Sequence, residues 1–247
     1  MNDLSSQAVL SQLLRERRSV RDFRPDAVDP AVIEAILDDA HWSPSWSNTQ
    51  PYRLAVASGA LRDQISAELC ERYDLAMQAQ SAGWLGKLKL LLGRKGLPDG
   101  DLKTNFPYPA DLQPQRRQTG FGLYSLLGID RNDHAARERQ MRRNFEFFGA
   151  PVVTFLFAHR GLREFSVLDT GVFLQSLMLS AQAHGLATCA QGALATWGGP
   201  VRAAFAVPAQ YQLVCGLSLG HASRHAVNGY NPGRRPASEL TLPAARH

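Results

Sequence analysis

The sequence predicts an α+β fold, a sandwich of helices around a small mixed sheet, on three observations. Runs rich in β-branched and aromatic residues at 52–58, 151–158 and 211–219 read as strands. Most of the remaining chain carries apolar residues at helical spacing. The length of 247 residues and the 45% hydrophobic composition suffice for a full core, and 20% charged residues argue against wholesale disorder.

Ser5 or Ser6 caps a first helix, on which Val9, Leu10, Leu13 and Leu14 form one apolar face that ends near Arg17. Asp29-Pro30 starts a second helix, with Asp29 as cap and Pro30 at the first helical position. Val32, Ile33, Ile36, Leu37 and Ala40 make its buried stripe, and Pro44 stops it. After the strand at 52–58, residues 61–80 read as helix. The stretch 83–114 is basic and rich in Gly and Pro around Phe106-Pro107-Tyr108-Pro109. It reads as an excursion from the core, because helical patterns resume at 115–127 and 134–147. The continuous apolar run 151–158 has the pattern of a buried strand. A long helix over 166–184 carries Asp169 early and Gly171 inside, and Gly185 ends it. Gly199-Pro200 opens a short helix to Phe205, 211–219 is the third strand, and a polar tail from about 220 crosses another surface. Neither internal repeats nor low-complexity segments divide the chain, so residues 1–247 are expected to form a single domain.

Several function classes drop out. No apolar run approaches the roughly 18 residues a membrane span requires, and the polar start at Asp3, Ser5, Ser6 and Gln7 does not read as a secretory signal. Cys70, Cys189 and Cys215 are widely spaced and form no CxxC pair, which points to reduced thiols and a cytoplasmic location. A net charge of +5 raises nucleic acid as a partner, but the arginines are dispersed over 15–24, 116–117, 137–143 and 234–235, with no nucleic-acid motif. No Walker loop, G-x-S-x-G elbow or H-E-x-x-H is present, and Gly120-Phe121-Gly122 has Ser125 where a dinucleotide fingerprint needs its third glycine. His221 and His225 are four apart without a third ligand, so no metal is expected.

Two stretches carry a functional signal. Arg17-Arg18-Ser19-Val20-Arg21 packs three guanidinium groups and a hydroxyl into five residues. Arginine forks match phosphate oxygens bidentately, and Ser19 adds a donor. The loop Ser43-Pro44-Ser45-Trp46-Ser47-Asn48-Thr49-Gln50-Pro51 offers small hydroxyls and the amides of Asn48 and Gln50, groups that read the edge of a heteroaromatic ring. Taken alone, the arginine cluster is more often a solvated helix end, where cations gain about 0.3–1 kcal/mol. Gln191-Gly192, alone, is a loop between helices. The aromatics Phe106, Tyr108, Tyr124, Phe145, Phe147 and Phe148 are, alone, core residues.

The ordered set of motifs is more specific than any member of it. Arg17-Arg18-Ser19-Val20-Arg21 followed by Phe23, then Ser43-Pro44-Ser45-x-x-Asn48-x-Gln50-Pro51, resembles the FMN-dependent nitroreductase family. Phe147-Phe148-Gly149-Ala150-Pro151-Val152, Gly185-Leu186-Ala187-Thr188-Cys189-Ala190-Gln191-Gly192-Ala193-Leu194 and Asn231-Pro232-Gly233-Arg234-Arg235-Pro236 follow in that family's order. The similarity runs from about residue 10 to 240 and is greatest to bacterial nitroarene reductases with a long middle segment.

The resemblance implies a three-layer sandwich that dimerises by intertwining, with two FMN sites at the subunit interface. It implies FMN as cofactor, NADH or NADPH as donor, and a nitroaromatic substrate reduced in two-electron, ping-pong steps. Quinone or flavin reduction, reductive dehalogenation and non-catalytic flavin binding are the alternatives. Arg17 and Ser19 would hold the phosphate with Arg18 beside them, and Arg21 would reach the pyrimidine end of the ring. Arg234 would contact the phosphate, although the adjacent Arg235 leaves the register open. Pro44, Ser45 and Asn48, with Gln50 in the same loop, would come from the other subunit. Gln191 and Gly192 would lay their backbone against the reactive ring nitrogen. No side chain is expected to be catalytic, since the redox centre belongs to the flavin. The excursion at about 83–127 would form a lid, with Tyr124 and Phe106 toward the substrate. The family's ring-contacting residue after the first strand has no identifiable match between 61 and 80.

Overall fold

A computed structural model of the chain describes residues 5–93, 95–104 and 106–244; Asp3, in the polar start, lies outside the described residues. Four strands form one sheet: β1 (Tyr52–Ser58), β2 (Val152–His159), β3 (Ala187–Gln191) and β4 (Tyr211–Gly220), in the order β1-β2-β4-β3. All three pairings are antiparallel. The mixed character expected of the sheet is confined to one parallel bridge, Ser19↔Thr188, where the arginine segment lies along the outer edge of β3. The sequence reading missed β3, because the small residues Ala187-Thr188-Cys189-Ala190-Gln191 carry no strand pattern. Pairing with β4, with Ala187 opposite Gly220 and Gln191 opposite Gly216, makes them a strand.

β2 shows why the fold has three layers. A central strand covered on both faces should be continuously apolar, and seven of its eight residues are buried. Its side chains alternate. Phe155 and Phe157 enter one core with Leu69, Phe145, Phe147 and Leu213. Leu156 enters the other with Ile36, Phe173, Leu177 and Leu217. Helix α2 (Pro30–Ala40) serves the second core, and α3 (Gly59–Ser81) the first. Asp29 caps α2 as expected, its carboxylate accepting from the Ala31 N–H at 2.9 Å. The helix stops at Ala40, before Pro44 is reached.

Two helices outside the excursion leave apolar faces uncovered. Helix α1 (Ser6–Glu16), capped by the Ser5 hydroxyl, buries none of its residues; Val9, Leu10 and Leu14 are exposed. Helix α7 (Arg163–Ala183) buries Phe173 and Leu177 but exposes Phe165, Leu168 and Val172 at helical spacing.

The excursion contains α4 (Gly83–Gly93), a helix the sequence reading did not place, packed on α3. It returns to the body at Asp99-Gly100-Asp101. Arg72 pairs with Asp99 at 2.8 Å. Asp101 accepts from the Leu213 N–H at 2.6 Å, from Arg202 at 2.8 Å and from Arg160. Gly100 donates to the Thr196 carbonyl at 3.0 Å, and a Cβ there would stand 1.8 Å from the Ala195 carbonyl oxygen, so only glycine allows this approach. Helix α5 (Gln113–Leu126) follows. Helix α6 (His134–Arg142) ends five residues earlier than the periodicity predicts; turns carry the chain on to the buried Phe147 and Phe148, which take left-handed φ of 55° and 54°. Helix α8 (Gly199–Ala204) precedes β4. Among the described residues no helix is long and apolar enough to cross a membrane.

Candidate functional site

The arginine segment leaves α1 at Arg17 and runs beside β3, with the Val20 N–H donating to the Thr188 carbonyl at 3.0 Å. That placement opens a cavity of about 370 Å³ between the segment, α5 and the tail. Arg15, Arg17, Arg18, Ser19 and Arg21 line one side; Thr119 comes from α5; Tyr230, Asn231, Pro232, Gly233 and Arg234 close it from the tail. Five guanidinium groups therefore share one cavity with no carboxylate in its lining. None of the five forms an ion pair with a described residue. Burial pushes the Arg17 pKa down, and the like charge of Arg234 pushes it further. Like charges held together without counterions destabilise a fold unless an anion joins them. The residues present fit a phosphate. Of the tail pair, Arg234 lines the cavity and Arg235 does not.

The neighbouring acid is occupied elsewhere. Asp22 accepts from Arg143 at 2.7 Å and from the Ser223 hydroxyl. Burial works to raise its pKa, but these partners hold it below the usual carboxylate range.

Gln191 and Gly192 lie at the far end of β3 from Thr188. Four residues of strand rise put Gly192 about 13 Å along the edge from the arginine segment. The Gln191 side chain points inward, donating to the Asn144 carbonyl at 2.9 Å and accepting from Ser218, so only its backbone is available to a ligand. Gly192 is exposed, and a Cβ built on it would meet nothing within 4 Å.

Pro44, Ser45, Asn48 and Gln50 do not join this cavity. Their loop is a tight turn in which Ser47, Asn48 and Gln50 all have φ near +50°, an unfavourable conformation for side-chain-bearing residues. It is held by the Asp169 carboxylate, which accepts from the Trp46 N–H at 3.1 Å, and by the Ser45 hydroxyl, which accepts from the Gln50 N–H at 2.9 Å. The loop feeds β1 at Tyr52, whereas Ser19 lies in register with Ser58, through Thr188, Leu219 and Val152. Strand geometry separates Tyr52 from Ser19 by about 20 Å along the sheet and about 19 Å across it. Within one chain, the two halves of the expected site stand at opposite corners.

Neither expected substrate residue lines the cavity. Tyr124 on α5 lies under Arg137, whose guanidinium carbon is 5.3 Å from the ring centre. Phe106 is exposed beside Tyr108. Conversely, Thr119 and Tyr230 line the cavity without having been singled out, and Asn231 and Gly233 of the tail motif line it without having been given a role. The tail motif drew attention to its arginines, and nothing local marks a threonine on α5. His225, weighed as a metal ligand, caps a turn by accepting from the Val227 N–H.

Known proteins resemble this arrangement over nearly the whole chain. The family described as Nitroreductase matches residues 14–221. A 4-nitrobenzoate reductase from Pseudomonas putida is 34% identical over 93% of this chain and 92% of its own length. A chloronitrobenzene nitroreductase from Comamonas testosteroni is 31% identical over 94% and 95%. The crystal structure of the FMN-dependent nitroreductase NfnB from Mycobacterium smegmatis in complex with NADPH superimposes with a TM-score of 0.83 at 31% identity, covering 98% of this chain and 100% of that one. With the family match over residues 14–221 and relatives above 30% identity along nearly the whole chain, the chain belongs to the nitroreductase family.

Proposed function

We propose that this protein is an FMN-dependent oxidoreductase that uses NAD(P)H to reduce nitroaromatic compounds. The observation that carries the reading is the carboxylate-free cavity in which Arg17 and Arg234 face each other. Relatives that cover nearly the whole chain are named as reductases of 4-nitrobenzoate and chloronitrobenzene. The first two-electron step converts a nitro group, a hydride from NAD(P)H and a proton into a nitroso group and water.

Bound FMN supplies the centre that accepts and donates hydride. The chain supplies binding, orientation and electrostatics. Arg17, Ser19 and Arg234 grip the phosphate, with Arg18 at its edge. Arg21 places a cation at the pyrimidine end, where it favours the negative charge of the reduced state. Gly192 would leave backbone open to the ring.

A second subunit completes the site. Its copy of the Pro44–Gln50 loop reaches the cavity that this chain's own loop cannot, and Ser45, Asn48 and Gln50 present their polar groups to the ring. The uncovered faces of α1 and α7 supply the apolar surface for such a dimer. The excursion over 83–127 acts as a lid, bringing Phe106 and Tyr124 toward the substrate on closure, and the whole chain works as one domain. Buried, free Cys70, Cys189 and Cys215 suit a cytoplasmic setting.

Colour is the direct test. The purified protein should be yellow and should bleach on adding NADPH or NADH. Turnover on a panel of nitroarenes, quinones and halophenols should be fastest with nitroarenes. Fastest turnover of a quinone or halophenol would move the activity elsewhere in the fold, and a yellow protein that does not bleach would make it a flavin binder.

A further inference from the structure

We propose that Asn228 is a positioning residue that sets Arg18 and Arg21 toward the cofactor, an inference that rests on reading the arginine cavity as the flavin-phosphate site. Asn228 lies in the tail, 207 positions from Arg21 in sequence. Its Oδ1 accepts from the Arg21 N–H at 2.9 Å, and its Nδ2 donates to the Asp22 carbonyl at 2.7 Å and the Ser223 carbonyl at 3.2 Å. A carboxamide offers one acceptor and two donors, the same pair a peptide group offers a neighbouring strand. Asn228 therefore continues, from the side chain, the pairing that Thr188 begins at Ser19 and Val20. Its own carbonyl accepts from Arg18 at 3.5 Å.

The consequence is selective. Asn228 takes up the backbone of Arg21 and Asp22, and Arg143 and Ser223 take up the Asp22 carboxylate. Among the described residues the Arg21 guanidinium makes one hydrogen bond, to the Ser19 carbonyl at 3.3 Å, which leaves its other N–H groups for an anionic ligand. The backbone that carries the cation is fixed while the cation is left free, which is the preorganisation a charge-stabilising group requires.

The test is a double-mutant cycle on flavin-stripped protein, read by FMN fluorescence titration and by the potential of the FMN-saturated protein. Asn228→Ala should weaken FMN binding about tenfold, the equivalent of one to two lost hydrogen bonds. The Arg21→Ala/Asn228→Ala double variant should bind within about twofold of Arg21→Ala, because a residue acting through another adds little once that other is gone. The potential of Asn228→Ala should move in the same direction as that of Arg21→Ala. Asn228→Leu, uncharged and of similar size, removes the acceptor and the donors together; it should shift affinity and potential the same way and stands in if the alanine variant does not fold. Additive losses, or a lowered melting temperature with affinity and potential unchanged, would leave Asn228 a structural residue and overturn the proposal. Failure of the unmutated protein to bind FMN would instead remove the flavin reading itself.

Discussion

Arg17→Ala should release FMN while leaving the empty chain as stable as before, or more so. The guanidinium is partly buried, makes no hydrogen bond to a described protein acceptor and faces Arg234 across the cavity. Without a ligand its charge is a liability, and its lowered pKa records that the folded chain disfavours the cation. Removing it relieves the repulsion on Arg234 and deletes no protein contact beyond packing. With FMN bound, the same group makes a charge-assisted hydrogen bond worth about 1.5–3 kcal/mol, so affinity should fall roughly 10- to 100-fold. Fluorescence quenching on titrating flavin-stripped protein with FMN measures the first effect, and thermal melting of that protein measures the second. The affinity of the unmutated protein should also fall with salt more steeply than that of the variant, since one screened charge pair is gone. Stoichiometric FMN retained by Arg17→Ala through dialysis, or a lower melting point for its empty form, would refute the assignment.

Three further outcomes are expected. Light scattering on dilute holoprotein should give twice the chain mass, with an interface above roughly 2,000 Å² covering α1 and α7; an active, flavin-bearing monomer would refute the shared site. Double-reciprocal plots of NAD(P)H against a nitroarene should be parallel, because one open flavin face has to serve both in turn, and FMN-saturated Arg21→Ala should have a lower flavin potential; intersecting lines or an unchanged potential would count against each claim separately. Asp101 is held below the usual carboxylate range: burial works to raise its pKa, but the Leu213 N–H, Arg202 and Arg160 outweigh it. A carboxylate depressed in the folded state stabilises the protein above its unfolded pKa of about 3.9, and that contribution is lost as pH falls through the lower folded value. Asp101→Asn should therefore lower the melting temperature at pH 7 but make little difference near pH 2, and an equal loss at both would show that its charge is not what matters.

The local pattern of the chain determined most elements and the arginine cluster that lines the cavity. Caps at Ser5 and Asp29, the three strands with β-branched or aromatic runs, and Arg17-Arg18-Ser19-x-Arg21 all depend on neighbours in sequence, and the structure keeps them where the pattern puts them. Tertiary structure decided what depends on distant partners. The five residues of β3 are a strand only because β4 pairs with them, and Phe147 and Phe148, inside the predicted helix, instead take left-handed turns and are buried in the core. Arg234 rather than Arg235 faces Arg17 because the tail is tied down by Tyr230, which donates to the Thr119 carbonyl at 3.0 Å, and by Asn228 on the arginine segment. That Arg137 stands over the Tyr124 ring, which the family resemblance pointed toward a substrate, depends on how α5 and α6 pack. The separation of the Pro44–Gln50 loop from the arginine cavity follows from sheet order alone: β1 and β3 are opposite edges, a fact set by long-range hydrogen bonds that no local window of the sequence contains.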